Sequence, residues 1–514
     1  MNSWRRWSWS VFGTLVVAFV LAILIASRAK HHPVNPPITQ VDLSKGYRFD
    51  HRQQHLLDSD KPTLVILAFS GGGTRAAAFS YGVLEALRRI EVIAPNGATI
   101  RLLDEVDVIT GVSGGSFTAL AFGLYGDKLF DIYETSFLKR DVQGELIKRV
   151  LSPRNWGGLW SNDWTRSEVA AQLYDEILFH GATFADLDRG VGPLIVATAT
   201  DISTGGRLEF QQFAFDYLCS DLNAVPLSRA AASSSAVPMA FAAVTFNNYG
   251  GSCKFAIPQW IQAFSDAETA PRPAARAIKQ IKDLEYYQSG AKKPYVHLVD
   301  GGLSDNLGMR GVLEILEELE ALKLAGKPTP LDHVKRIVIV VADSKSAPKT
   351  DWDTTPTAPS DLAIVLKSAG VPIDHFSYEA TELLRDTKQR WQNMHRIRES
   401  AAFVANKDPS LSQLVNTPDV ELYAINVSFS AITDKAEFDY LNNLPTSFVL
   451  PPEAVDRLRA AAGKILLSSP EFQRLMKDAH LEFVTRPPTG EGPWESHSNA
   501  SEPTAGRIRT DGAL

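Results

Sequence analysis

Residues 106–117 read VDVITGVSGGSF, and the chain's fold and chemistry are both decided there. The β-branched run 106–110 predicts a strand buried on both faces, and the apolar stretch 117–125 predicts a helix. Between them stands Gly111-Val112-Ser113-Gly114-Gly115. Small residues on either side of a serine permit a sharp strand-to-helix turn that lifts the hydroxyl clear of the backbone, and the N–H that follows it becomes a free donor. Ser113 is therefore the candidate nucleophile and Gly114 a candidate oxyanion donor. Ser116 begins the helix and is not chosen. A purely structural turn is the competing reading of the pattern.

Working outward, apolar runs at 63–69, 194–198, 295–299, 336–341 and 421–427 alternate with helical patterns at 74–89, 165–179, 309–324 and 378–403. Such alternation predicts an α/β fold with a mostly parallel central sheet. The first strand runs into Ser70-Gly71-Gly72-Gly73-Thr74-Arg75 and a helix. A glycine run at a helix start offers outward amides backed by the positive end of the helix dipole, a place for a phosphate or a developing oxyanion. Positions 71–76 (GGGTRA) fit neither a Walker loop nor a dinucleotide loop, so nucleotide binding is the weaker option, and a plain tight turn stays open. Asp300-Gly301-Gly302 follows the strand 295–299, read as of the same type as the one ending at Ser113. Ends of that kind can be neighbours where open parallel sheets keep their sites, and Asp300 then supplies the base a serine needs. Taken alone, Asp-Gly-Gly also reads as an ordinary loop.

GGGTR, GVSGG and DGG, in that order and in those settings, resemble the patatin-like phospholipases. Residues 199–210 (ATDISTGGRLEF) and 231–238 (AASSSAVP) resemble stretches the family carries between its serine and aspartate motifs, and the likeness spans about residues 60–310. The resemblance implies a three-layer α/β/α fold and a Ser–Asp dyad of Ser113 and Asp300. It further implies an oxyanion hole of Gly71, Gly72 and Gly73, with Arg75, Gly111, Gly115, Gly301 and Gly302 in support. The implied activity is that of a serine hydrolase of phospholipase A type, cleaving fatty-acyl esters of glycerophospholipids through an acyl-serine. A carboxylesterase or thioesterase on another acyl substrate, and a non-catalytic lipid-binding module, are the alternatives. Ala76 departs from the glycine the family often has there, which leaves the preceding amides untouched. Because an ordinary aspartate titrates near 4, such a base requires a partly desolvated site.

The 52 Lys and Arg against 59 Asp and Glu leave a net charge of −7, which supplies no basic stripe for nucleic acid. Cys219 and Cys253, the sole thiols, flank the 231–238 stretch and are free to pair if the body is exported. His297 lies three residues before Asp300 and should face the opposite way, as a packing residue; Asp201 follows a strand and is read as a cap. No metal-ligand spacing and no cofactor motif occur. Trp156, Trp160 and Trp164 recur at a spacing of four within the insertion 151–164, which reads as packing or as a lid.

At the N-terminus, residues 7–26 are uncharged and about 30 Å long as a helix, flanked by Arg5, Arg6, Arg28 and Lys30. This predicts one transmembrane signal anchor within 1–30; a signal peptide cleaved near Ser27-Arg28-Ala29 is the alternative. A tether at 31–57, a hydrolase body at 58–485 and a disordered tail at 486–514 follow. The export layout places the body on the non-cytoplasmic side, periplasmic or extracellular, with the bilayer and its acyl lipids as partners.

Overall fold

The computed structural model describes residues 35–48, 63–152, 165–190, 192–256, 275–324, 329, 332–350, 352–354, 356, 358–405 and 417–484. The apolar run 7–26, the tryptophans 156, 160 and 164, and the tail 486–514 lie outside them. Among the described residues no helix is long and apolar enough to cross a membrane.

Among the described residues eight strands form the main sheet: β1 (Thr63–Phe69), β2 (Val108–Val112), β3 (Leu194–Asp201), β4 (Arg207–Glu209), β5 (Val244–Asn247), β6 (Tyr295–Val299), β7 (Arg336–Asp343) and β8 (Glu421–Ser428). Their order is β8-β7-β1-β2-β3-β6-β5, with β4 paired to β3. From β8 to β3 every pairing is parallel. All eight residues of β3 are buried, so helices cover both sheet faces and the fold has three layers.

The β2 strand begins later and ends later than its apolar run. Asp107 ties the entry down, its carboxylate accepting from the Val65 amide at 2.8 Å. Gly111 and Val112 stay in the ladder because Phe69 and Thr198 pair with them from either side. The larger departure is β6, which is antiparallel to β3, with Thr200 opposite Val299 and Asp201 opposite Leu298. It descends from beyond the carboxyl ends of the parallel strands and stops beside them, so Asp300 arrives at Ser113 from the reverse direction to that expected.

Helices α1 (Gly73–Arg89) and α2 (Gly114–Tyr125) follow β1 and β2 directly. Then come α3 (Leu227–Ser234), the short α4 (Gly302–Asp305), α5 (Arg310–Leu324), α6 (Asp361–Glu399) and α7 (Pro452–Ser468), which packs along α1. The expected 165–179 helix continues past Tyr174 as a wider turn over Asp175–Phe179. The helical pattern 378–403 falls on the distal part of α6 and on a short helix, Ala401–Ala405, after it; α6 starts at Asp361 under a Ser360 cap and carries Pro372 inside it, a residue that by itself speaks for a break. Buried Trp391 and half-buried Arg390 fasten α6 to Glu320 of α5, at 3.0 and 2.7 Å.

Residues 35–48, assigned to the tether, run along the body. Asn35 bonds Ser220 and Asn247, and buried Arg48 meets Asp216 at 2.6 Å. Cys219 and Cys253 form a disulfide beside this segment. The bridge closes a loop over a sequence separation of 34. The Cys219→Ser/Cys253→Ser double variant should therefore lose about 3–4 kcal/mol in urea unfolding, and alkylation of the wild type without reductant should leave its mass unchanged.

Candidate active site

The two glycine-rich turns meet back to back at the carboxyl edge of the sheet. A Cβ built on Gly114 falls 2.0 Å from the carbonyl oxygen of Gly73, so any side chain there would force the turns apart. Gly72 adopts φ 141°, outside the range of residues that carry a side chain. The N-termini of α1 and α2 are thereby brought together around one point, and Ser113 occupies it with φ 48° and ψ −119°. Positive φ at a serine is a strained conformation held by its surroundings. Its amide donates to Ser234 Oγ at 2.8 Å, and its carbonyl accepts from Ser116 Oγ at 2.6 Å.

Ser113 Oγ donates to Asp300 Oδ2 at 2.8 Å, joining residues 187 positions apart. The other carboxylate oxygen, Oδ1, accepts from the Gly302 amide at 2.8 Å. The Asp300 amide donates to Ala236 O and that of Gly301 to Ser234 O, both at 3.0 Å. The 231–238 stretch thus grips serine and aspartate at once. Thr200 Oγ1 donates to the Asp300 carbonyl at 2.9 Å, completing the mount. Burial pushes the Asp300 carboxyl up to about 6, while the Gly302 and Ser113 hydrogen bonds pull it down.

The three loop glycines do not serve alike. Gly71 donates its N–H to Asn306 O at 2.8 Å and is withdrawn from the expected oxyanion set. The amides of Gly72, Gly73 and Gly114 have no acceptor among the described residues, so they are the donors the site holds in reserve. Gly111 lies within β2 and Gly115 in the first turn of α2, against the Phe69 and Ser70 carbonyls.

Arg75 is a buried clamp. It donates to Ser344 O (2.8 Å), Leu444 O (2.9 Å) and Thr446 Oγ1 (3.2 Å), tying the glycine loop to segments far along the chain. Burial lowers its guanidinium only to about 10, so it stays charged at neutral pH. His297, expected to pack inside, is instead exposed on β6 with Nδ1 3.0 Å from Thr245 Oγ1. Asp201 closes the turn after β3, accepting from the Ser203 amide and Thr204 Oγ1 at 3.0 Å each. Among the described residues no group of three or more His, Cys, Asp or Glu could hold a metal.

A cleft of about 320 Å³ opens over Ser113 and Asp300, floored by the glycine turn and walled by Met239, Leu303 and Ile373. Lys345 and Asp374 line it as a pair 3.6 Å apart. Ser234, Ala236 and Asn306 were not chosen from the sequence as site residues. The 231–238 stretch carries a family likeness as a segment, but nothing in a run of small residues says that one hydroxyl and two carbonyls point at Ser113 and Asp300.

A serine hydroxyl hydrogen-bonded to a desolvated carboxylate, beside unpartnered amides, has the arrangement that acyl transfer needs. Residues 67–313 match the family model for patatin-like phospholipases. Among solved structures, human GIVD cytosolic phospholipase A2 aligns at 13% identity and TM-score 0.39, over 87% of this chain and 66% of that one. The same enzyme in complex with methyl gamma-linolenyl fluorophosphonate aligns at 12% and 0.39, over 84% and 62%. VipD from Legionella pneumophila aligns at 12% and 0.29, over 88% and 71%. The chain spans just under two thirds of the human enzyme's length. No curated protein matches it.

A raised carboxyl favours the folded state while it is protonated and loses that contribution as pH climbs through its folded value. Asp300→Asn should therefore be more stable than wild type at pH 7–8, by up to about 3 kcal/mol for a rise from 3.8 to about 6. In urea unfolding at several pH values, the difference should shrink toward zero as pH falls to 4.

Proposed function

From the match of residues 67–313 to the patatin-like phospholipase family model, we propose that the chain is a serine hydrolase that cleaves fatty-acyl esters of glycerophospholipids. The observation that carries the reading is the 2.8 Å bond from Ser113 Oγ to the buried Asp300 carboxylate. Asp300 Oδ2 takes the hydroxyl proton as Ser113 Oγ attacks the ester carbonyl. The amides of Gly72, Gly73 and Gly114 receive the oxyanion of the tetrahedral intermediate, and they cost no reorganisation because the paired helix starts already aim them. Collapse breaks the bond to the alcohol oxygen, which leaves with the proton from Asp300 as the lysolipid. Water then repeats the sequence on the acyl-serine, with Asp300 as base, and the fatty acid departs. Neither half-reaction calls for a metal or cofactor.

Two features support membrane anchorage by 7–26 with the body on the non-cytoplasmic side. One is the length and purity of the apolar run; the other is the disulfide, a bond that persists in oxidising compartments. Release as a soluble protein after cleavage is the alternative that N-terminal sequencing of the mature chain distinguishes.

Fatty-acid release from mixed phospholipid vesicles tests the activity. Ser113→Ala and Asp300→Asn should each lower it by at least about 10³-fold, and Ser113→Ala should abolish labelling by a fluorophosphonate. Full hydrolysis by either variant would overturn the dyad. Because Asp300 must be ionised to accept a proton, kcat/KM should rise tenfold per pH unit in acid and level off above about 6. A profile flat from pH 4 to 8 would remove Asp300 as the base.

A further inference from the structure

The body's N-terminal strap is fixed at the carboxyl edge of the sheet, the edge that bears Ser113. Asn35 is buried and bonds Asn247 twice: its Nδ2 donates to the Asn247 carbonyl at 2.8 Å, and its Oδ1 accepts from the Asn247 amide at 2.9 Å. Asp221 and Ile38 extend the seam through backbone bonds to Pro36 and Cys219, at 3.0 and 2.8 Å. Asn247 pairs with Tyr295 at the far end of β6, and β6 projects beyond the carboxyl ends of the parallel strands before descending to Asp300.

Nine chain steps lead from Ala26, the end of the apolar run, to Asn35. Fully extended they reach about 30 Å. A body of this size is roughly 55 Å across. A bilayer holding residues 7–26 is thus leashed to the edge carrying Asn35 by less than the body's own width, and the opposite edge is kept away from it.

The same edge has the surface chemistry of a lipid contact. Ile202, at the turn after β3, is 54% exposed; Tyr295 and the cleft residue Met239 are each 51% exposed. Tyr286 is exposed too, with Lys293 Nζ 3.2 Å over its ring, and Lys292 stands beside it in solvent. Aliphatic and aromatic side chains next to lysines suit an interface where apolar groups enter acyl chains and cations meet lipid phosphates.

We infer that this edge, marked by Ile202, Met239, Tyr286, Lys292, Lys293 and Tyr295, is a bilayer-docking surface that sets the mouth of the Ser113 cleft against the leaflet. The inference rests on the anchor reading given above. A lipid surface is favoured over a second copy of the chain because the leash, the cationic rim and the cleft mouth converge on one edge.

The test uses the full chain reconstituted in vesicles of equimolar phosphatidylcholine and phosphatidylglycerol. A nitroxide is placed at Tyr295→Cys, or at exposed Asn96→Cys in the loop of the hairpin Glu91–Ile93/Thr99–Arg101, which follows α1 where that helix has run back to the opposite edge of the sheet. Expected is co-flotation with the vesicles that resists alkaline extraction. The label at 295 should be accessible to a lipid-soluble relaxer and shielded from a water-soluble one, with the reverse at 96. In parallel, Ile202→Glu/Tyr295→Glu should cut vesicle hydrolysis about fivefold or more and leave hydrolysis of a dissolved short-chain ester unchanged. Retained flotation with a water-exposed 295 label overturns the docking surface while leaving the anchor intact. Failure to float overturns the anchor reading and the surface with it. Shielding of the 295 label in detergent that grows with protein concentration assigns the edge to a second copy and overturns the lipid assignment.

Discussion

The backbone of Gly114 lies against the backbone of Gly73, closer than any side chain would allow. That contact presses two strand-to-helix turns together and aims the first amides of two buried helices at one spot. Everything chemical about the molecule depends on this approach. It sets Ser113 in its strained conformation and leaves Gly72, Gly73 and Gly114 with N–H groups that the fold does not satisfy. The strain persists because the surroundings hold it: Ser234 takes the serine amide, and the β2 ladder runs up to Gly111 on the β1 side and to Val112 on the β3 side.

Asp300 is the complement of that arrangement. Its carboxylate is basic through burial, and its position comes from an antiparallel strand that reaches the parallel edge from outside. The 231–238 stretch converts two separate turns into one unit. It receives the Ser113 amide on one side and the Asp300 and Gly301 amides on the other. The Ser113–Asp300 geometry is thus held by two main-chain bonds at the aspartate and by the Ser234 hydroxyl at the serine.

The distal half of the chain completes the same construction. Strands β7 and β8 continue the sheet beyond β1, and Arg75 binds the glycine loop to Ser344, Leu444 and Thr446. These residues lie beyond the segment that matches the family model, yet the loop's rear wall is made from them. Nothing local in the sequence announces them: a threonine hydroxyl or a main-chain carbonyl becomes a partner for Arg75 through a contact across about 270 to 370 positions.

By itself, the sequence determined what local sterics and solvation determine. Glycines where backbones must touch, β-branched runs where strands are buried, and one serine and one aspartate at strand ends made the α/β class and the Ser113–Asp300 pairing legible, because each feature is a property of a few adjacent residues. Tertiary structure alone decided the rest. The reversed direction of β6, the diversion of the Gly71 amide to Asn306, the pairing of Cys219 with Cys253 and the attachment of Asn35 to the edge that bears Ser113 all depend on partners distant in the chain. A hydrogen bond or strand pairing is satisfied by whichever group packing brings within about 3 Å. That choice is made by the folded whole, after local preference has said all it can.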